Sequence, residues 1–289
     1  MALIPASHSG RRAAFSPGTS VGRAWPLFAF AALLACGGGS HATSSTRTKA
    51  PNGRVEDSSA GSVDLSTSDY KVETVANGGT VSGTLTLTGS RPAPLPITAD
   101  SALCPAGDDG EPRNGSSLGN AIVWVAGVHA GKSAGIERRT ELDSDGCQLD
   151  PRVQGAVTGT TVNVFNDDKV LHRLVFIPLG THDTLTVMPF ANAGEVVPSE
   201  LLAKQAHIVE VLCARHPWTR GYIAVFDNPY FAVTDADGRF TIDSLPPGSY
   251  TMNVWHEGMT QPVQQQVQVA PGGAAKITLA VALSAPPAK

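Results

Sequence analysis

The chain has 289 residues, with 21 basic and 25 acidic side chains and a formal net charge of −4. That balance argues against nucleic acid or an anionic lipid surface as a partner, and the remainder is more acidic still once Arg11, Arg12 and Arg23 are set aside. Abundant glycine (30) and proline (21), with no long stretch of helical period, point to a mostly β protein long enough for two modest domains.

The three arginines precede a mostly apolar run from Leu27 to Ala35, too short to span a bilayer but suited to an export signal. Leu33-Leu34-Ala35-Cys36-Gly37 resembles a bacterial lipobox, which implies a signal over residues 1–36 with Cys36 as the lipidation site. Ordinary secretion with cleavage nearby is the alternative, and both put the mature chain outside the cytoplasm. The expectation is a periplasmic or cell-surface protein that meets a bacterial membrane only through its N-terminal lipid. Residues 37–77 are rich in Ser, Thr, Gly and Ala and read as a disordered tether.

Setting Cys36 aside leaves three cysteines, an odd number in an exported chain, where spare thiols oxidise. Cys104 and Cys147 stand in loop-like surroundings, whereas Cys213 follows the apolar run Ile208-Val-Glu-Val-Leu212. A disulfide between Cys104 and Cys147 is the economical pairing, and Cys213 paired with either of them is the alternative.

Strand periodicity starts at Gly79-Thr-Val81-Ser-Gly83-Thr-Leu85-Thr-Leu87, where odd positions carry apolar side chains. Further candidates are 121–126, 160–165, 173–177, 207–212 and 221–226, separated by Gly, Pro, Asn and Asp. Short strands in this rhythm favour a sandwich or Greek-key barrel over βαβ units. The one helix-like piece is 198–205, with Ser199 as a candidate cap.

A second, smaller β-unit is expected from Tyr230. Val233-Thr-Asp235-Ala-Asp237-Gly238-Arg-Phe240-Thr-Ile242 reads as a hairpin with an Asp-Gly turn, and alternating segments follow to Leu283. Asp235 and Asp237 read as turn residues, because the later ligands of a calcium loop are missing. This segment, with Leu245-Pro-Pro-Gly248-Ser-Tyr250, resembles the carboxypeptidase regulatory-like domain, which implies a transthyretin-like sandwich without peptidase residues.

Cys213-Ala-Arg-His216-Pro-Trp218 places a thiol and an imidazole three residues apart at the end of an apolar run. Two imidazoles and one thiolate make the trigonal set of electron-transfer copper sites, with thiolate and one His on a loop and the other His on a neighbouring strand. His172, opening an apolar strand after a polar loop, is the best distant ligand. Each residue alone also has a structural reading: Cys213 as a small buried hydrophobe, His216 as a loop residue, His172 as a strand residue.

These residues resemble the cupredoxin-like domains of exported bacterial proteins related to plastocyanin and to methylamine-utilisation proteins. In that group Cys-x-x-His-Pro-Trp-Met is followed by a segment like Asp227-Asn-Pro-Tyr-Phe-Ala-Val-Thr-Asp235 and a carboxypeptidase regulatory-like unit. The resemblance implies a cupredoxin-like Greek-key sandwich over 78–229, a transthyretin-like β-sandwich over 230–284 and a tail over 285–289. It also implies one copper ion held by His172, Cys213 and His216. Thr219 stands where the group has methionine, so it is the candidate weak axial ligand, with Met188, Met259 and carbonyls near Arg173 as substitutes. Asp150-Pro-Arg152-Val departs from a Pro-His-Val pattern and removes a further ligand.

His256 with Glu257, His207, Trp218 and Tyr222 read as packing residues in the first instance, and Asp167-Asp168 and Asp108-Asp109 as solvated loops. The chain lacks a Gly-x-Ser-x-Gly elbow, a phosphate-cradling loop and a His-Glu-x-x-His motif, so no enzyme is expected. The expected function is electron transfer or copper handling, with a redox partner or copper donor or acceptor. The alternative is a metal-free surface sandwich that binds carbohydrate or a protein, the copper site having decayed at Thr219.

Overall fold

The computed structural model describes residues 63–283 apart from 64, 67–68, 92, 99, 101, 105–114 and 136–137. The export signal, Cys36, most of the expected tether, Asp108, Asp109 and the tail lie outside the described residues. In chain order the strands are β1 (Lys71–Val72), β2 (Gly79–Thr88), β3 (Ile122–Ala126), β4 (Ala130–Gly131), β5 (Arg139–Asp145), β6 (Gln148–Asp150), β7 (Val153–Val157), β8 (Thr161–Asn166) and β9 (His172–Pro178). They continue as β10 (Thr186–Phe190), β11 (Glu195–Ser199), β12 (His207–Cys213), β13 (Arg220–Phe226), β14 (Phe231–Val233), β15 (Arg239–Leu245), β16 (Gly248–Trp255), β17 (Val263–Val269) and β18 (Ala274–Ala282). The chain is all-β, as its alternation and turn punctuation predict. Among the described residues no helix is long and apolar enough to cross a membrane.

Two sandwiches result. One packs a five-stranded sheet, β10-β9-β12-β13-β7, against a four-stranded sheet, β11-β8-β5-β6, around Leu142, Val164, Phe176, Val211 and Ile223. The other packs β14-β3-β16-β17 against β15-β2-β18 around Leu85, Val125, Phe240, Met252 and Val267. A third apolar layer, with Trp124, Tyr222, Phe226 and Trp255, joins them. It accounts for the uninterrupted apolar runs of β3 and β13. Val123 and Val125 face one sandwich core while Ile122 and Trp124 face the shared layer; in β13, Ile223 and Val225 turn inward while Tyr222 and Phe226 reach that layer.

The domain division expected at Tyr230 is corrected by the strand pairing. β2 lies between β15 and β18, and β3 between β14 and β16, so two strands assigned to the first domain complete the second sandwich. The sandwich built from β5 to β13 is inserted between them and the strands they pair with. Local alternation shows that a strand exists but carries no information about its partner.

Three smaller corrections have local causes. Packing begins inside the expected tether: Leu65 is buried beside Trp124 and Tyr222, and the Tyr70 hydroxyl donates to the Lys132 carbonyl at 2.6 Å. A few large side chains are diluted there by many small ones, so composition alone hides them. The Asp235–Gly238 turn forms, with Asp235 Oδ1 accepting from the Asp237 and Arg239 amides, but its strands part to opposite sheets instead of pairing as a hairpin. Over 198–205 there is only a 3-10 turn, Leu201–Ala203, begun by Glu200 without a side-chain cap, because Ser199 already ends β11.

Candidate metal centre

β9 and β12 are antiparallel neighbours, and Cys213 stands opposite Leu174. The end of β12 therefore runs alongside the start of β9, and the Cys213 side chain reaches His172 despite 41 residues of separation. His216 is returned to the same place by the short loop into β13. That loop is closed by Thr219 N–H to the His216 carbonyl (2.9 Å), Cys213 N–H to the Thr219 carbonyl (3.1 Å) and Ala214 N–H to the Arg173 carbonyl (2.9 Å).

The three proposed ligands form a triangle. Cys213 Sγ is 3.5 Å from His172 Nδ1 and 3.6 Å from His216 Nδ1, and the two nitrogens are 3.2 Å apart. His172 and His216 are 0% exposed and Cys213 3%. A triangle of these sides has a point about 2.0 Å from every corner, close to the bond lengths of imidazole nitrogen and thiolate sulfur to a first-row metal ion. The donor set thus fits a metal. Two imidazoles and one thiolate in a trigonal set suit copper, whereas structural zinc sites close with four ligands.

Each imidazole turns its other nitrogen to a carboxylate. His172 Nε2 is 2.9 Å from Asp168 Oδ2, close but poorly aligned for a hydrogen bond, and His216 Nε2 is 3.0 Å from Asp100 Oδ2. Such partners fix the ring orientation and leave Nδ1 for the metal. Asp168 is not solvated, as its polar run predicts, but buried, accepting from the Ser144 hydroxyl at 3.0 Å and from the Cys147 amide. Burial pushes its carboxyl up, but contacts from His172, the Cys147 amide and Ser144 outweigh that and hold it below the usual range. Asp100, which the sequence did not single out, also receives the Arg215 guanidinium at 3.1 Å. Hydrogen bonds from His216 and Arg215 hold its carboxyl low.

The contacts between the Cys213 thiol and the His172 imidazole favour the ionised form of each. Burial opposes charge on both, but Asp168 and Cys213 raise the His172 pKa to about 9. His172 and the backbone amides of Arg173, Arg215 and His216 lower that of Cys213 to about 6. These hydrogen bonds stabilise the thiolate, the form that ligates.

Other predicted residues fall in other places. Cys104 and Cys147 are joined by a disulfide, leaving Cys213 as the one free cysteine among the described residues. The hydroxyl of Thr219, the expected axial ligand, donates to the Cys147 carbonyl at 2.5 Å. Met188 is separated from Cys213 by Leu174 on the intervening strand, and Met259 packs on the core of the other sandwich. Glu257 pairs with Arg152, and His256 Nδ1 accepts from the Gly258 amide at 3.2 Å. Trp218 packs on His216 with ring centroids 5.1 Å apart, while Tyr222 faces Trp255 at 5.3 Å in the shared layer. Burial lowers the His207 pKa.

Residues 223–283 match the family model of the carboxypeptidase regulatory-like domain. No curated protein matches the chain. Among solved structures, a purple cupredoxin from Nitrosopumilus maritimus is 20% identical over 30% of this chain and 98% of its own, with a TM-score of 0.25. A reduced amicyanin variant is 16% identical over 32% of this chain and 86% of its own, with a TM-score of 0.27. A copper-containing nitrite reductase from Thermus scotoductus is 16% identical over 50% of this chain and 28% of its own, with a TM-score of 0.28.

Proposed function

We propose that this chain is an exported cupredoxin-type protein, lipid-anchored at Cys36, that binds one copper ion through His172 Nδ1, Cys213 Sγ and His216 Nδ1 and serves electron transfer or copper handling. The observation that carries this reading is the buried triangle of two imidazole nitrogens and one thiolate, with edges of 3.2, 3.5 and 3.6 Å. Bound copper would supply one-electron chemistry. The chain's own part is to fix the three donors: the β9–β12 pairing sets Cys213 against His172, Asp168 and Asp100 face the outer edges of the rings, and Trp218 covers His216. Donors held this way change little between two oxidation states, which favours electron exchange with a protein partner over bond-making catalysis.

The visible spectrum of the copper(II)-loaded protein tests this. A strong thiolate-to-copper charge-transfer band is expected, and Cys213→Ser abolishes it. A spectrum without that band, or one indifferent to Cys213→Ser, contradicts the proposal.

A further inference from the structure

The Cys104–Cys147 disulfide links segments 43 residues apart, and each half is tied to a different arm of the metal centre. Cys147 donates its backbone N–H to both Asp168 oxygens, at 3.1 and 3.0 Å, and that carboxylate lies 2.9 Å from His172 Nε2. Cys104 donates its backbone N–H to the Asp100 carbonyl at 2.8 Å, and the Asp100 carboxylate meets His216 Nε2 at 3.0 Å. The bridge itself is close to both rings. Cys147 Sγ lies within 4.8 Å of a His172 nitrogen, and both sulfurs lie within 4.8 Å of a His216 nitrogen. Val170 and Trp218 pack around it, and its halves are 1% and 0% exposed.

Building on the metal centre proposed above, we propose that this disulfide is a clamp that positions both histidine ligands through Asp100 and Asp168, so that metal affinity depends on its oxidation state. With the bond intact, the Asp100 segment is fastened to the β5–β6 turn and each ring is held with Nδ1 toward Cys213. Reduction breaks the S–S bond and forms two thiols, with two electrons taken up and two protons added. A phosphine reductant supplies the electrons and leaves as its oxide, the oxygen coming from water. The segment carrying Asp100 is then held only by non-covalent contacts, His216 loses its fixed partner, and the amide that fixes Asp168 is no longer anchored. Metal is bound less tightly as a result.

The test uses the full chain in two states, as purified and after phosphine reduction with the phosphine removed, together with the variant Cys104→Ala/Cys147→Ala. The first readout needs no metal: the alkylation rate of Cys213 by iodoacetamide, followed by peptide mass mapping. Loss of the clamp is expected to raise it at least about ten-fold, because the site then opens locally. The second readout is cobalt(II) affinity from its absorption bands, expected to weaken about 10- to 100-fold. An unchanged Cys213 rate in a folded reduced protein overturns the clamp, as does tighter binding or a second equivalent of cobalt. An oxidised protein that binds neither cobalt nor copper overturns the metal centre instead, and the alkylation rates still decide the clamp. If far-UV circular dichroism shows that loss of the bridge unfolds the chain, Asp100→Asn, which keeps the bridge, decides the matter: weaker cobalt binding supports the clamp and unchanged binding overturns it.

Discussion

Buried side by side, Cys213 and His172 share a proton between them in an uneven way: the thiol gives it up and the ring keeps it. The His172 pKa rises from 6.5 to about 9, and that of Cys213 falls from 9.0 to about 6. Taken singly, the His172 contribution to stability is full below pH 6.5 and is lost as pH rises through about 9. That of Cys213 is full above pH 9.0 and is lost as pH falls through about 6. Across the window between, the folded charged pair and the unfolded neutral pair carry the same number of protons, so the two slopes cancel. Metal binding has no such cancellation, since it must expel the His172 proton. Cobalt affinity is therefore expected to rise about ten-fold per pH unit between pH 6.5 and 8.5, with one proton released per ion. Titrations at three pH values in that range check it, and a flat profile contradicts the pairing. Cys213, His172 and His216 were legible in the sequence because the chemistry demands those residue types at a loop spacing. Asp168 and Asp100 were not, because a carboxylate in a polar run looks the same whether water or a buried ring faces it.

β5 shows the same limit in a strand. Its sequence, Arg-Thr-Glu-Leu-Asp-Ser-Asp, has one large apolar residue, Leu142, and no strand was expected there. Leu142 and Ser144 are inward, and parallel pairing with β8 makes the strand, a partnership that local pattern cannot supply. Asp143 on this element is in a poor setting for charge: burial, and then Asp167 and Asp145, raise its pKa to about 6. Its Oδ1 is buried without a hydrogen-bond partner. A folded-state pKa above the unfolded one means that stability is lost as pH rises from 3.8 through about 6, and that the loss is complete above that. Asp143→Asn is expected to stabilise the protein by about 1 kcal/mol at pH 7.5, after allowing for partial exposure, with the gain vanishing below about pH 4. Urea midpoints at the two pH values measure this, and an equal effect at both contradicts the assignment.

At the scale of the whole molecule, the inserted arrangement makes the second sandwich depend on strands that precede the first. A fragment of residues 230–284 lacks β2 and β3, and with them Val81, Leu85, Val123 and Val125 of its core. It is expected to show no cooperative thermal transition alone, and to gain one when residues 78–127 are joined to it; a fragment that melts cooperatively by itself contradicts the pairing. The all-β class and most strands could be read from alternation, since period-2 patterning is a local property. Insertion could not, because a strand's partner is chosen by the whole chain. It also matters to the site: Asp100 and Cys104 lie on the connection between β2 and β3, so the outer sandwich supplies the partner of His216 and half of the disulfide. Copper-edge X-ray absorption of the loaded full-length protein tests the account most directly. One sulfur at about 2.2 Å and two nitrogens at about 2.0 Å are predicted, with the sulfur lost in Cys213→Ser. A copper shell of nitrogen and oxygen alone, or a sulfur that survives Cys213→Ser, would contradict it.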